Sequence, residues 1–204
     1  AVAVSPHAVR RLRSLGEMAM ETGDTETAEK VLKQVVAKAK YSEFRDPEDH
    51  VKLVQVLVKR GDPEQATAVI RDLDRSMGGR KTAAACSAVA SSMVHEHTGD
   101  ARRLAESLDA ALAASKDAPG LSAHVKMELA RSCLRNDKVD GAADVMRDVM
   151  RNSPGNAAMA RAMSVFEQAG LGDLALALAQ ETRQEVVDLV AQGALRAQQR
   201  DFRG

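Results

Sequence analysis

Residues 15–35 read LGEMAMETGDTETAEKVLKQV, and residues 53–73 read LVQVLVKRGDPEQATAVIRDL. Both open on a large residue followed by a smaller one, Leu15-Gly16 and Leu53-Val54, and both then reach Gly-Asp, at Gly23-Asp24 and Gly61-Asp62. Beyond the aspartate stand Ala28, Leu32 and Val35 in one block and Ala66, Ile70 and Leu73 in the other. A third block over 129–154 keeps these intervals with Leu129-Ala130, Asp137-Lys138, Ala142, Met146 and Val149, and closes on Pro154. The residue types explain one another. Small residues let two antiparallel helices approach, and large apolar ones fill the space around them. The glycine supplies the left-handed conformation that ends a first helix, and the aspartate after it caps a second.

These are the intervals of the tetratricopeptide repeat. They predict an all-α chain, a right-handed superhelix (α-solenoid) of antiparallel helix hairpins, forming one repeat domain over 1–204. The hairpins are expected at 5–40, 46–77, 81–115, 122–153 and 156–182, with a partial sixth repeat at 184–204. Two of them deviate from the pattern. Residues 82–114 carry Gly99-Asp100 and then Ala105, one residue late, after a first helix of small residues, TAAACSAVASSM. Residues 156–182 carry Met159, Met163 and Phe166, an AGLG turn and the run LALALA. A lone first helix cannot bury both its faces, so with a sixth half-repeat the chain is expected to be a piece of something longer. Ser5-Pro6 is expected as N-cap and first residue of the opening helix, and Asp46-Pro47-Glu48-Asp49 repeats that arrangement with an acid placed for a capping box. Ser122 is expected to cap the helix from Ala123.

Composition narrows the function classes. The 204 residues balance 29 Lys and Arg against 29 Asp and Glu, for a net charge of zero, and only 2 % are aromatic, with no Trp. That removes the counterion release on which most DNA binders rely and the aromatic platforms for single-stranded bases. A β-sandwich or barrel would draw on residues this chain scarcely uses. Cys86 and Cys133 stand far apart and form no metal knuckle, which suits a reducing, cytoplasmic setting. No apolar run is long enough for a signal peptide or a membrane helix.

No catalytic spacing is present. G-x-S-x-G, S-x-x-K, G-x-G-x-x-G and the phosphate loop are all missing, so the expectation is no catalysis, no cofactor and no metal. His95-Glu96-His97 places its two imidazoles about half a turn apart and reads as a solvated helix end. Asp46, Glu48, Asp49 and His50 could hold a hard cation, but acids against a helix dipole give the same letters. Gly78-Gly79-Arg80-Lys81 reads as a hairpin linker.

Binding is what remains. First helices line the concave face of such a superhelix, and their outward positions would meet a ligand. These are Arg10, Arg13, Glu17 and Met20, then Val51, Lys52, Gln55 and Lys59, then Met127, Arg131 and Arg135. The set leans basic, so a protein or peptide ligand of acidic character is expected, or a second copy as a homodimer, with neither nucleic acid nor membrane. Arg13→Glu with Arg131→Glu is expected to weaken an acidic partner and leave folding intact. The Lys/Asn carboxylate clamp of chaperone-binding repeats is not reproduced, because Arg13 and Glu17 fill those slots.

A closer likeness covers nearly the whole chain. The stretches SPHAVRRLRSLGEMAMETGDTETAEKVLKQVVAKAK (5–40), RDPEDHVKLVQVLVKRGD (45–62), RNSPGNAAMARAMSVFEQAGLGD (151–173) and QEVVDLVAQGALRAQQRDF (184–202) resemble the effector region of bacterial response regulators in which a receiver domain precedes tetratricopeptide-like repeats. The resemblance implies the output module of a two-component system without its phosphorylatable receiver. A free-standing adaptor is the alternative. An RNA-reading repeat array is disfavoured because no matched polar pairs recur at fixed positions.

Overall fold

The computed structural model describes residues 6–152 and 156–184. Among them every regular element is a helix: α1 (Pro6–Thr22), α2 (Thr25–Ala39), α3 (Pro47–Lys59), α4 (Pro63–Met77), α5 (Lys81–Thr98), α6 (Ala101–Lys116), α7 (Ala123–Arg135), α8 (Val139–Asn152), α9 (Asn156–Gln168) and α10 (172–184). The chain divides into two compact units, Ala1–Ser132 and Cys133–Gly204. Ser5, Pro154 and the sixth-repeat stretch beyond 184 lie outside the described residues.

The Gly-Asp turns work as their chemistry requires. Gly23, Gly61 and Gly99 have φ of +77°, +77° and +70°. The aspartate after each accepts a backbone N–H from the first turn of the next helix: Thr27 to Asp24 at 3.0 Å, Gln65 to Asp62 at 2.9 Å, Arg103 to Asp100 at 3.0 Å. The turns recur every 38 residues, at 23, 61, 99 and 137, where Asp137 adopts φ +57° without being glycine. The next follows at Gly170, φ +76°, and Leu171 takes the capping slot with no side-chain cap to offer.

Five residues after each turn stands a buried side chain: Ala28, Ala66, Leu104, Ala142 and Ala175. The third hairpin is therefore in register. Leu104, and not the exposed Ala105, occupies the small-residue position. The small residues of α5, Ala83, Ala85 and Ala90 among them, leave the room that a leucine on α6 needs.

In the first hairpin Gly16 brings α1 against α2. A Cβ there would stand 3.1 Å from Leu32 Cδ2 and 3.2 Å from its Cγ. Val9, Val35 and Ala39 close the other end of this hairpin, with Leu12 and Phe44 packed on them. In the second unit α8 contributes Ala142, Val145, Met146, Val149 and Met150 to the core, and α9 contributes Phe166. Thr182 on α10 lies 3.8 Å from Met150 Sδ and donates to the Leu178 carbonyl at 2.8 Å.

Candidate functional site

The first helices of unit one are joined by a polar network. It begins at α3, whose start Asp46 caps by accepting from the Glu48 N–H at 3.0 Å. The capping box expected of Asp49 does not form. That carboxylate turns instead to α1, where Arg13 Nε sits 2.9 Å from Oδ1 and Nη2 2.7 Å from Oδ2, and Nη2 also donates to the Phe44 carbonyl. The Asp49 side chain is 3 % exposed and that of Arg13 23 %. Burial pushes the Asp49 carboxyl above the ordinary carboxylate range against the pull of Arg13, while the hydrogen bonds to Asp49 raise the Arg13 guanidinium.

The next turn of the same two helices pairs Lys52 with Glu17. Glu48 reaches forward, accepting the Ser122 N–H at 2.9 Å, just before α7. Ser122 Oγ accepts from Val125 N at 3.4 Å, so it does cap α7. Within α7, Arg131 pairs with Glu128. Burial pushes the His124 imidazole below its usual pKa, against the charges of Glu128 and Glu48. Two buried polar atoms here, Gln55 Oε1 and His124 Nε2, make no hydrogen bond. Ser132 on α7 donates to Glu96 of α5 at 3.0 Å, so Glu96 is engaged in a helix contact.

The expected ligand-facing set is thereby re-sorted. Val51 is fully buried and Met127 nearly so; both are core residues. Arg13, Lys52 and Arg131 are neutralised by Asp49, Glu17 and Glu128. Arg13→Glu would set two carboxylates together in a buried place, so it strikes folding. Arg10 and Lys59 are exposed cations without an ion pair among the described residues. Met20 and Gln55 are half-buried, and Arg135 is exposed in the second unit. The basic lean is much smaller than the letters promise. Glu48, Asp49, Ser122, His124 and Glu128 were not foreseen in this role. The 38-residue repeat was the available signal for Glu48, since it maps Arg10 onto Glu48.

A second polar place lies between α2, α3 and α4. A cavity of about 10 Å³, room for one water, is lined by Lys40, Asp46, Asp49, His50 and Ser76 among others. His50 is buried, and neither ring nitrogen makes a hydrogen bond; Asp72 Oδ2 stands 3.9 Å from Nε2 while Oδ1 holds Lys40 at 2.7 Å. Burial holds the His50 pKa below its ordinary value, so the folded state resists the proton that the unfolded state accepts near pH 6.5. Stability contributed by neutral His50 is present above that pH and is lost below it. Urea midpoints should fall from pH 7.5 to 5.5, with His124 contributing in the same direction, and fall less in His50→Gln; an equal fall in both would remove His50 as the cause.

Cys86 and Cys133 are buried and in no disulfide, and burial pushes the Cys86 thiol far up, away from the reactive thiolate. Among the described residues no group of three or more His, Cys, Asp or Glu could hold a metal, and no helix is long and apolar enough to cross a membrane.

Sequence models of the tetratricopeptide repeat match residues 50–72 and 98–157. Solved structures offer a loose likeness. A MamA crystal structure is 17 % identical, covers 90 % of this chain and 96 % of its own, and has a TM-score of 0.41. Another MamA structure gives 17 % identity, 87 % and 97 % coverage and a TM-score of 0.38. TPR-like repeats of a Podosopora anserina kinesin light chain give 18 %, 88 % and 96 %, and 0.44. No curated protein matches. The repeat assignment stands on the sequence models and on the turns, caps and helix pairs described above: the chain is an all-α protein containing tetratricopeptide repeats.

Proposed function

We propose that this chain is a non-catalytic protein-interaction scaffold whose first-helix face in unit one holds an extended protein segment. The observation that carries the reading is the pair of buried, unbonded polar atoms on first helices, Gln55 Oε1 and His124 Nε2. Such atoms lose free energy unless a partner satisfies them, and a turn of either half-buried side chain would present them to the N–H and C=O groups of an extended backbone. Ion pairing of Arg13, Lys52 and Arg131 favours a polar ligand over a strongly acidic one. Self-association is part of the same proposal, and a cytoplasmic location suits two buried cysteines that form no disulfide.

The test uses peptides selected from a random displayed library against the 204-residue protein, with affinity read by fluorescence anisotropy. Gln55→Ala and His124→Ala should each weaken a selected peptide roughly 10-fold, by loss of hydrogen bonds worth ~1.4 kcal/mol. Glu64→Ala, exposed on α4, should leave it unchanged. Peptides indifferent to both face variants would overturn the reading.

A place as the output arm of a two-component regulator rests on the sequence resemblance, and a free-standing adaptor accounts for the same repeats equally well. Peptide sequencing of the native protein separates them. A receiver with its acidic pocket upstream of Ala1 supports the first, and a mature chain beginning near Ala1 supports the second.

A further inference from the structure

The repeat spacing exposes an anomaly on α1. Shifted by 38 residues, Arg11, Leu15, Met18 and Thr22 become Asp49, Leu53, Val56 and Arg60 of α3. On α3 both ends of this stripe are fastened to the first hairpin, Asp49 to Arg13 and Arg60 to Glu29, and Leu53 and Val56 between them are 2 % and 1 % exposed. On α1 the same positions are open: Leu15 is 44 % and Met18 58 % exposed. Single exposed apolar residues are ordinary on any protein. Two of them on adjoining turns, at a repeat position that is sealed one hairpin later, form a docking stripe.

The charges along α1 say what fits it. Arg10 and Arg11 stand at the N-terminal end of the stripe and Glu21 at its C-terminal end, all three exposed and without an ion pair among the described residues. Such a stripe is its own complement when reversed. A two-fold axis between Leu15 and Met18 sets each Leu15 against the partner's Met18 and brings each Arg11 within reach of the partner's Glu21, an isologous contact.

We propose that α1 is a self-docking surface through which two copies of this chain pair antiparallel, Leu15 against Met18, with Arg11–Glu21 ion pairs at both ends. This deepens the self-association within the proposed function and is independent of ligand binding, since Arg13 and Glu17 lie roughly half a turn around the helix from Leu15. Two apolar side chains per copy make a small interface, in the class of transient contacts below about 1,200 Å². The dimer is therefore weak and salt-sensitive.

Sedimentation velocity of the 204-residue protein from about 10 µM to about 1 mM tests this range of affinity. The weight-average coefficient should climb toward that of a dimer at low salt and less at high salt. Met18→Asp should abolish the climb with an unchanged helical circular dichroism. Arg11→Glu and Glu21→Arg should each weaken the dimer roughly 10-fold, and the two together should restore it. A monomer at every concentration overturns the proposal. So does a dimer indifferent to Met18→Asp, which lies on another surface, or a charge swap no better than its parents. A monomer that Leu15→Asp destabilises also overturns it, because the stripe is then covered from within its own chain.

Discussion

Arg13→Met lowers the unfolding free energy of the first unit by roughly 2–4 kcal/mol, somewhat less than the 3–5 kcal/mol of a fully buried pair because the guanidinium keeps some water. The loss comes from Asp49. Its carboxylate is nearly sealed, and the Arg13 guanidinium grips both of its oxygens. Removing Arg13 leaves a buried charge, which can be relieved only by taking up a proton. The Asp49 carboxyl, already raised by burial, then rises further, so the folded variant binds a proton that the unfolded chain releases. The defect shrinks as pH falls toward 5 and is fully present at pH 7.5. Arg13→Met with Asp49→Leu should recover most of the stability, because replacing both partners leaves no orphaned charge. Urea midpoints for the three proteins at two pH values decide the matter. A single variant as stable as the wild type would place Asp49 in contact with solvent.

Gly16→Leu is the second large effect. At this position the two helices of the first hairpin are so close that even a methyl group presses on Leu32. A leucine adds three more carbons in the same direction and forces the helices apart, an overpacking cost of about 1–3 kcal/mol and more where the backbone cannot follow. Gly16→Ala separates packing from conformation. Alanine gains up to ~1 kcal/mol in helix propensity, against a shift of a few tenths of an ångström in one flexible side chain, so it should lie near neutral. In a thermal melt the leucine variant should fall well below the wild type and the alanine variant close to it. Equal melting temperatures for all three would mean that Gly16 does not face Leu32.

What could be read from the letters was what short-range chemistry decides. Gly23-Asp24, Gly61-Asp62 and Gly99-Asp100 announce turn and cap within a few residues of one another, and the structure uses each as read. Leu104 escaped because its fit depends on how small the side chains of α5 are, a property of the opposing helix and not of its own segment. Asp49 escaped for a similar reason. An acid near a helix start serves the dipole by local rules, and only the approach of α1 diverts it to Arg13. Val51 and Met127 were assigned to a ligand surface by sequence position, and a small rotation of each helix carries them into the core. The acidic partners of Arg13, Lys52 and Arg131 follow from the same blindness to neighbouring helices.

The bond between Ser122 N–H and the Glu48 carboxylate closes a span of 74 residues. A string of hairpins that touch only their neighbours frays from its ends, one hairpin at a time, and its unfolding is graded. Here the end of the first unit is tied back past the third hairpin to the start of the second. Peeling from that side must first break a long-range closure, which couples the opening of residues 46–122. Under hydrogen exchange their amides should behave as one cooperative block, with exchange times grouped and not stepped from repeat to repeat.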